Sequence, residues 1–248
     1  MIAITRTRAP EILSDEYVAA GTARFIESGH PVWNVEKIKI ALHEMSRGKC
    51  AYCEIRLNEG ATYLEVEHFF AKKHHPERVL DWNNLLPACK RCNSSKGDWD
   101  VSLADQMAID PTIMDPKVHI RYDEAYRPVA LSPEGEVAIV EIGLDDIRLL
   151  GVMRYTLGET FKRKLEEIRG SYLRIPALAP VRERRSVIRK VKKALELCQS
   201  DQPFSSIAST VLERSAAYAE LKAEMVAACD WDEYLEALET AAKRSSLA

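Results

Sequence analysis

The chain has 248 residues, 46% of them hydrophobic and 29% charged, with a formal net charge of −3. It therefore carries enough apolar side chain for at least one sizeable core and length for one or two domains. No run approaches the roughly 18 consecutive apolar residues of a membrane-spanning helix, and the opening MIAITRTRAPEIL lacks the apolar centre of a secretory signal, so a soluble cytoplasmic protein with no membrane partner is expected.

In chain order, Ser14 followed by DEYVAAGTARFIES reads as a capped helix. Asn34 followed by VEKIKIALHEMSR reads as a second, stopped at Gly48. These form an N-terminal helical segment, 1–48. Over 49–100 the composition shifts to Cys, His, Asn and Trp with little helical period, which suits a small fold held by a metal. The region 101–143 mixes turn signals, Pro133 to Gly135 among them, with short β-prone runs, and predicts short strands between Asp110 and Glu141. From 144 to 248 the pattern is helical, over DDIRLLGVMRYTLGETFKRKLEEIR, RERRSVIRKVKKALELCQ, SSIASTVLERSAAYAELKAEMVAA and DWDEYLEALETAAKR. Asp230 and Glu233 have the spacing of a capping box at the last of these, and the breaks at Pro176 to Pro180 and Ser200 to Pro203 read as helix connections. The expectation is an α+β protein, mainly α-helical.

Two pairs, Cys50-Ala-Tyr-Cys53 and Cys89-Lys-Arg-Cys92, have the spacing of a four-thiolate zinc site. Such a closed site holds a fold but leaves no coordination position for substrate, so any chemistry must lie between the two knuckles. There the β-prone TYLEVEH ends in Glu67-His68, an oxygen ligand suited to Mg²⁺ beside a base that titrates near neutrality. Asn93 directly follows the last cysteine, at the start of a short helix NSSKG facing the strand. Cys198 shares a helical face with Val187, Val191 and Leu195, and Cys229 precedes the Asp230 cap; both read as packing residues.

CAYC, VEHF and WNNLLPACKRCNSSKG together resemble the ββα-metal module of HNH endonucleases, in the variety bracketed by two Cys-x-x-Cys knuckles. The resemblance implies that His68 is the general base, that Asn84 steadies the loop and the base, and that Asn93 is a metal ligand alongside Glu67, which stands where the family more often has aspartate. IAITRTRAPEIL, VEHFFAKKHHPE with DWNNL, the downstream IDPT and the helical C-terminal half resemble more narrowly the HNH subunit of Septu-type anti-phage defence systems, also found with some retrons. That implies a Mg²⁺-dependent endonuclease (Mn²⁺ substituting) with a structural Zn²⁺, acting on DNA in a complex with an ATPase. The acidic net charge fits a protein that does not hold its polyanion alone. A nuclease of structured RNA such as tRNA, or a zinc-knuckle module that only binds a partner, are the alternatives.

Lys72, Lys73, His74 and His75 form a cationic loop that either meets phosphate or is simply solvated. Glu65, two positions before Glu67, reads as a salt-bridge partner rather than a metal ligand. Trp82 reads as packing under the loop. The basic segment VRERRSVIRKVKK reads either as an amphipathic helix with a solvated face or as a nucleic-acid or partner surface.

Overall fold

A computed structural model describes residues 1–176 and 181–248; part of the expected break from Pro176 to Pro180 lies outside the described residues. The chain forms two compact units: Met1–Arg121 with Pro128–Asp146, and Tyr122–Arg127 with Ile147–Ala248. It is mainly helical with two small two-stranded sheets.

In the first unit, α1 (Asp15–Ser28) starts where the Ser14 hydroxyl accepts from the Tyr17 amide at 3.3 Å and ends at Gly29, whose φ of 70° is available to glycine without strain. Helix α2 (Glu36–Met45) buries Ile38, Leu42 and Met45, which follow one another at helical spacing. Its cap is Val35 in extended conformation with no side-chain bond, not Asn34. Strand β1 (Leu64–His68) pairs antiparallel with β2 (Leu85–Cys89), with Leu64 opposite Cys89 and His68 opposite Leu85. Every residue of β2 is buried, and α2 packs against both strands. The chain leaves β2 directly into α3 (Lys90–Lys96), completing a strand–strand–helix unit.

Strands β3 (Ile120–Tyr122) and β4 (Pro128–Ala130) appear in the region expected to hold short strands, but Pro133–Glu141 is a helix, α4. The Ser132 hydroxyl accepts from the Gly135 amide at 3.2 Å, Pro133 opens the helix, and Glu134 and Glu136 occupy its first turn. The Pro-Glu-Gly taken as a turn is thus a helix start, and the β-prone residues after it are drawn into that helix.

The second unit is built on α5 (Val152–Leu173), which follows a π-helical turn at Ile147–Gly151 and buries Phe161, Leu165, Ile168 and Tyr172. Helices α6 (Val181–Leu197), α7 (Ser205–Arg214) and α8 (Ala216–Ala227) pack on it, and α9 (Glu233–Lys243) packs on α6 and α7. The segment expected as one helix from Ser205 is two, because Ser215 turns extended and its hydroxyl accepts from the Tyr218 amide at 3.1 Å to start α8. Asp232 caps α9 by accepting from Leu235, whereas Asp230, the expected cap, accepts from the Tyr172 hydroxyl at 2.6 Å. Cys198 is buried as expected, but Cys229 is exposed in a left-handed turn (φ 56°) and is not a packing residue.

A Cβ added at Gly135 would lie 2.0 Å from the carbonyl oxygen of His119. Backbone cannot yield there as a flexible side chain would, so Gly135→Ala is expected to destabilise the protein by about 2 kcal/mol. A melting curve should show the midpoint lowered by roughly 4 to 8 °C; an unchanged midpoint would show that α4 shifts freely.

Candidate active site

Cys50 and Cys53 lie in the turn before β1, Cys89 ends β2 and Cys92 lies in α3. The Ala51 amide donates to the Pro87 carbonyl at 2.8 Å, so the first knuckle is laced to the strand that supplies the second. All four sulfurs are buried and lie within 4.8 Å of one another. The Cys53 and Cys89 sulfurs are 3.7 Å apart, close to the about 3.8 Å edge of a tetrahedron with zinc–sulfur bonds of about 2.3 Å. Donor type, number and spacing all fit, so this cluster could hold a zinc ion.

His68 ends β1 and is buried. Its Nε2 lies 3.0 Å from the Val79 carbonyl oxygen, which can only accept. The proton therefore sits on Nε2, and Nδ1 keeps its lone pair, with no partner among the described residues. Burial pushes the imidazole pKa down to about 4, so the ring is a neutral base near pH 7. The Trp33 ring meets it edge to face at 4.8 Å.

Asn84 is fully buried and clamps the loop leaving β1: its Oδ1 accepts from the Phe70 amide at 2.7 Å, and its Nδ2 donates to the Phe70 and Arg78 carbonyls at 3.1 Å each. Val79, which orients His68, follows Arg78 directly.

Glu67 is buried beside Lys96 of α3. The Lys96 ammonium lies 2.8 Å from Glu67 Oε1 and donates to the His68 carbonyl at 2.9 Å, while the Tyr52 hydroxyl donates to the same Oε1 at 3.3 Å. Burial pushes the Glu67 carboxyl above its ordinary value against the pull of Lys96. Both contacts use one oxygen, and Oε2 has no hydrogen-bond partner among the described residues.

Asn93 is the fourth residue of α3, not its first, because the helix already begins at Lys90. Its Nδ2 donates to Glu65 Oε2 at 2.6 Å, so Glu65 holds an amide rather than the expected cation. The structure thus pairs Asn93 with Glu65 and Glu67 with Lys96, and shows no bond between Asn93 and Glu67. With its nitrogen turned to Glu65, the Asn93 amide keeps Oδ1 as an acceptor.

Three of the four residues of the cationic loop already have polar partners, two of them carboxylates. Lys73 lies 3.5 Å from Asp98, His74 Nε2 meets the Asp98 carbonyl at 3.1 Å, and His75 lies between Glu77 and Asp100. Lys72 differs: its ammonium sits 5.4 Å from the centre of the Trp33 ring and meets no carboxylate within ion-pair distance among the described residues. Trp82 is buried and its indole donates to the Thr7 carbonyl at 2.8 Å, a packing role. Trp33, Tyr52 and Lys96 enter the site without having been singled out in the sequence; only the three-residue step from Asn93 to Lys96 on one helix hints at it.

Removing one sulfur should break the cluster. Metal analysis of the parent is expected to find zinc, and Cys89→Ser is expected to lose it and to unfold the module, since structural zinc contributes about 10 kcal/mol or more in zinc-finger peptides. A variant that kept both zinc and its near-ultraviolet dichroism would show that the cysteines do not form a metal site.

Residues 50–98 match the family model described as HNH endonuclease. The chain is 33% identical to the Septu protein PtuB of Bacillus thuringiensis, in an alignment covering 100% of this chain and 95% of that protein. It is 30% identical to the Septu protein PtuB of Bacillus mycoides (strain KBAB4) over 36% of this chain and 39% of that protein. With a base, two unused oxygen donors and a four-cysteine clasp inside the matched span, and similarity running the whole length of a relative, the chain belongs to the PtuB family of HNH endonucleases.

Proposed function

We propose that the chain is a Mg²⁺-dependent endonuclease that hydrolyses phosphodiester bonds of DNA as the nuclease subunit of an ATPase-containing Septu-type anti-phage complex. The observation that carries the chemical part is the set of unused atoms at the end of the hairpin: His68 Nδ1, Glu67 Oε2 and Asn93 Oδ1 have no hydrogen-bond partner among the described residues, although the other polar atom of each side chain is held. In this reading His68 takes the proton from the attacking water through Nδ1, with Val79 and Asn84 setting the direction of the ring. Glu67 and Asn93 offer hard oxygens to Mg²⁺ or Mn²⁺, which when bound supplies charge to the phosphate and leaving oxygen. Lys96 and Tyr52 orient the Glu67 carboxylate by holding its other oxygen, and Glu65 orients the Asn93 amide. Lys72, which has no carboxylate within ion-pair distance among the described residues, would meet a phosphate; Lys73 and His75 already face carboxylates and His74 a backbone carbonyl, so they would add little. The four cysteines hold structural Zn²⁺ and take no part in the hydrolysis.

His68→Ala is expected to slow single-turnover cleavage of plasmid DNA by about 10² to 10⁴-fold while zinc content stays at the parent level. Asn93→Ala should raise the Mg²⁺ concentration needed for half-maximal rate as well as lowering the rate. Equal rates for His68→Ala and parent would remove His68 from the reaction, and cleavage of bulk tRNA in preference to plasmid would move the substrate from DNA to structured RNA.

The partner is tested separately. Tagged full-length chain expressed with a Septu-type ATPase is expected to co-purify with that ATPase, and the complex is expected to cut at a rate that depends on nucleotide. Cutting at one rate with and without the ATPase would make the chain a free-standing nuclease.

A further inference from the structure

We infer that the outward face of α6 is a docking surface for the phosphate backbone of duplex DNA, on a unit separate from the HNH module. From Arg182 to Lys193 every exposed position is charged: Arg182, Arg185, Arg189, Lys190 and Lys193, with Glu183 the one acid. The inward face is accounted for by buried Val187, Val191 and Leu195, so the cations are not there to cover apolar surface. Nor are they used within the protein. Arg184 pairs with Asp230, and Lys192 lies 3.8 Å from Glu196 and over the Tyr234 ring. The five exposed cations make no ion pair or hydrogen bond among the described residues. Elsewhere in this unit Arg169, Lys222 and Lys243 are engaged by carboxylates.

An uncompensated row of like charge on one helix repels itself, and a polyanion relieves that repulsion by releasing its own counterions. The geometry favours a duplex strand. Arg185, Arg189 and Lys193 recur at four-residue steps, about 6 Å along the helix, and the row from Arg182 to Lys193 spans about 16 Å. Successive phosphates of one strand lie about 6 to 7 Å apart through space, so cations stepped about 6 Å along the helix match neighbouring phosphates where the helix lies along the strand. Three of the five cations are arginines, whose planar fork binds phosphate through two bonds. An acidic protein fits less well, because a protein interface has an apolar or aromatic centre and no exposed position between 182 and 193 is apolar.

The inference goes beyond the proposed active site but rests on the nuclease reading for the identity of its polyanion. The test uses full-length His68→Ala, which should bind DNA without cutting it, with and without Arg185→Gln, Arg189→Gln and Lys193→Gln together. Anisotropy of a labelled duplex across a salt series should show the slope of log K against log salt reduced in magnitude by about 2 to 3 units by the triple change, and at least about tenfold weaker binding near 0.1 M salt. The single changes Arg185→Gln and Arg189→Gln, each on an exposed face, should each remove about 0.9 unit. Unchanged slope and affinity overturn the proposal, as does a parent that binds no duplex at low salt. A loss seen with tRNA or with polyglutamate but not with duplex overturns the choice of DNA in favour of folded RNA or an acidic protein. Cleavage by the ATPase complex with His68 intact is scored separately: failure of that complex to cut, with duplex binding still dependent on the row, would refute the nuclease reading and leave the docking surface standing.

Discussion

The first unit depends on four sulfur atoms. A pair of five-residue strands is marginal alone, and α3 has seven residues, too few to persist unaided. The cysteine cluster joins the turn before β1 to the end of β2 and the first turns of α3, so one interaction fixes three segments at once. Asn93 follows Cys92 and Lys96 lies one helical turn further on. The rotation of α3 about its axis, and hence the direction of both side chains toward β1, is set by the sulfur clasp. A metal held by all four sulfurs would have no position left for substrate, so such a cluster would serve the fold and not the chemistry.

The second constraint is the burial of charge. Glu67 and Lys96 are almost wholly removed from water, and such a pair is weak support for stability because desolvation offsets much of the attraction. Its use lies in direction. Lys96 bridges the Glu67 side chain and the His68 carbonyl, tying the two neighbours on β1 to one ammonium on α3. With Tyr52 on the same carboxylate oxygen and Glu65 on the Asn93 amide, each oxygen facing the site belongs to a side chain already held at its other atom. A site held this way need not reorganise when charge develops on a substrate, which is where electrostatic stabilisation is most effective.

Some of this is legible in the sequence, and the pattern follows physical cause. The cysteines are legible because metal coordination imposes a spacing that packing does not, and α1 is legible because Ser14 satisfies a free amide that water would otherwise solvate. Lys96, Tyr52 and Trp33 are not, because a helix lysine or an aromatic residue looks the same in sequence whether it faces solvent, core or site. Asp230 and Asp232 are equally good caps by composition; the choice falls to Asp232 because the Tyr172 hydroxyl takes Asp230, a contact spanning 58 residues. Ser132-Pro133 is a helix start and a turn signal at once, and the packing of α4 against β4 decides it. The resemblance implies that Asn93 and Glu67 serve one metal, yet the pairing of Asn93 with Glu65 follows from how α3 packs on β1, which no local pattern encodes.

The remaining step concerns charge. Around His68 two members of the cationic loop, Lys73 and His75, face Asp98, Glu77 and Asp100, His74 meets only a backbone carbonyl, and Lys72 is the lysine without a carboxylate within ion-pair distance among the described residues. One ammonium positions a phosphate but does not hold a polymer, whose binding free energy grows with the number of phosphates neutralised. The chain as a whole is acidic, so long-range attraction does not substitute for local contacts. On the proposed reading grip and cutting are therefore separate: the buried, uncharged imidazole on β1 would act on a backbone that other surfaces hold. On that reading a catalytic unit that binds weakly by itself would be inactive wherever those surfaces are not engaged, which would restrain a nuclease otherwise able to cut the nucleic acid of its own cell.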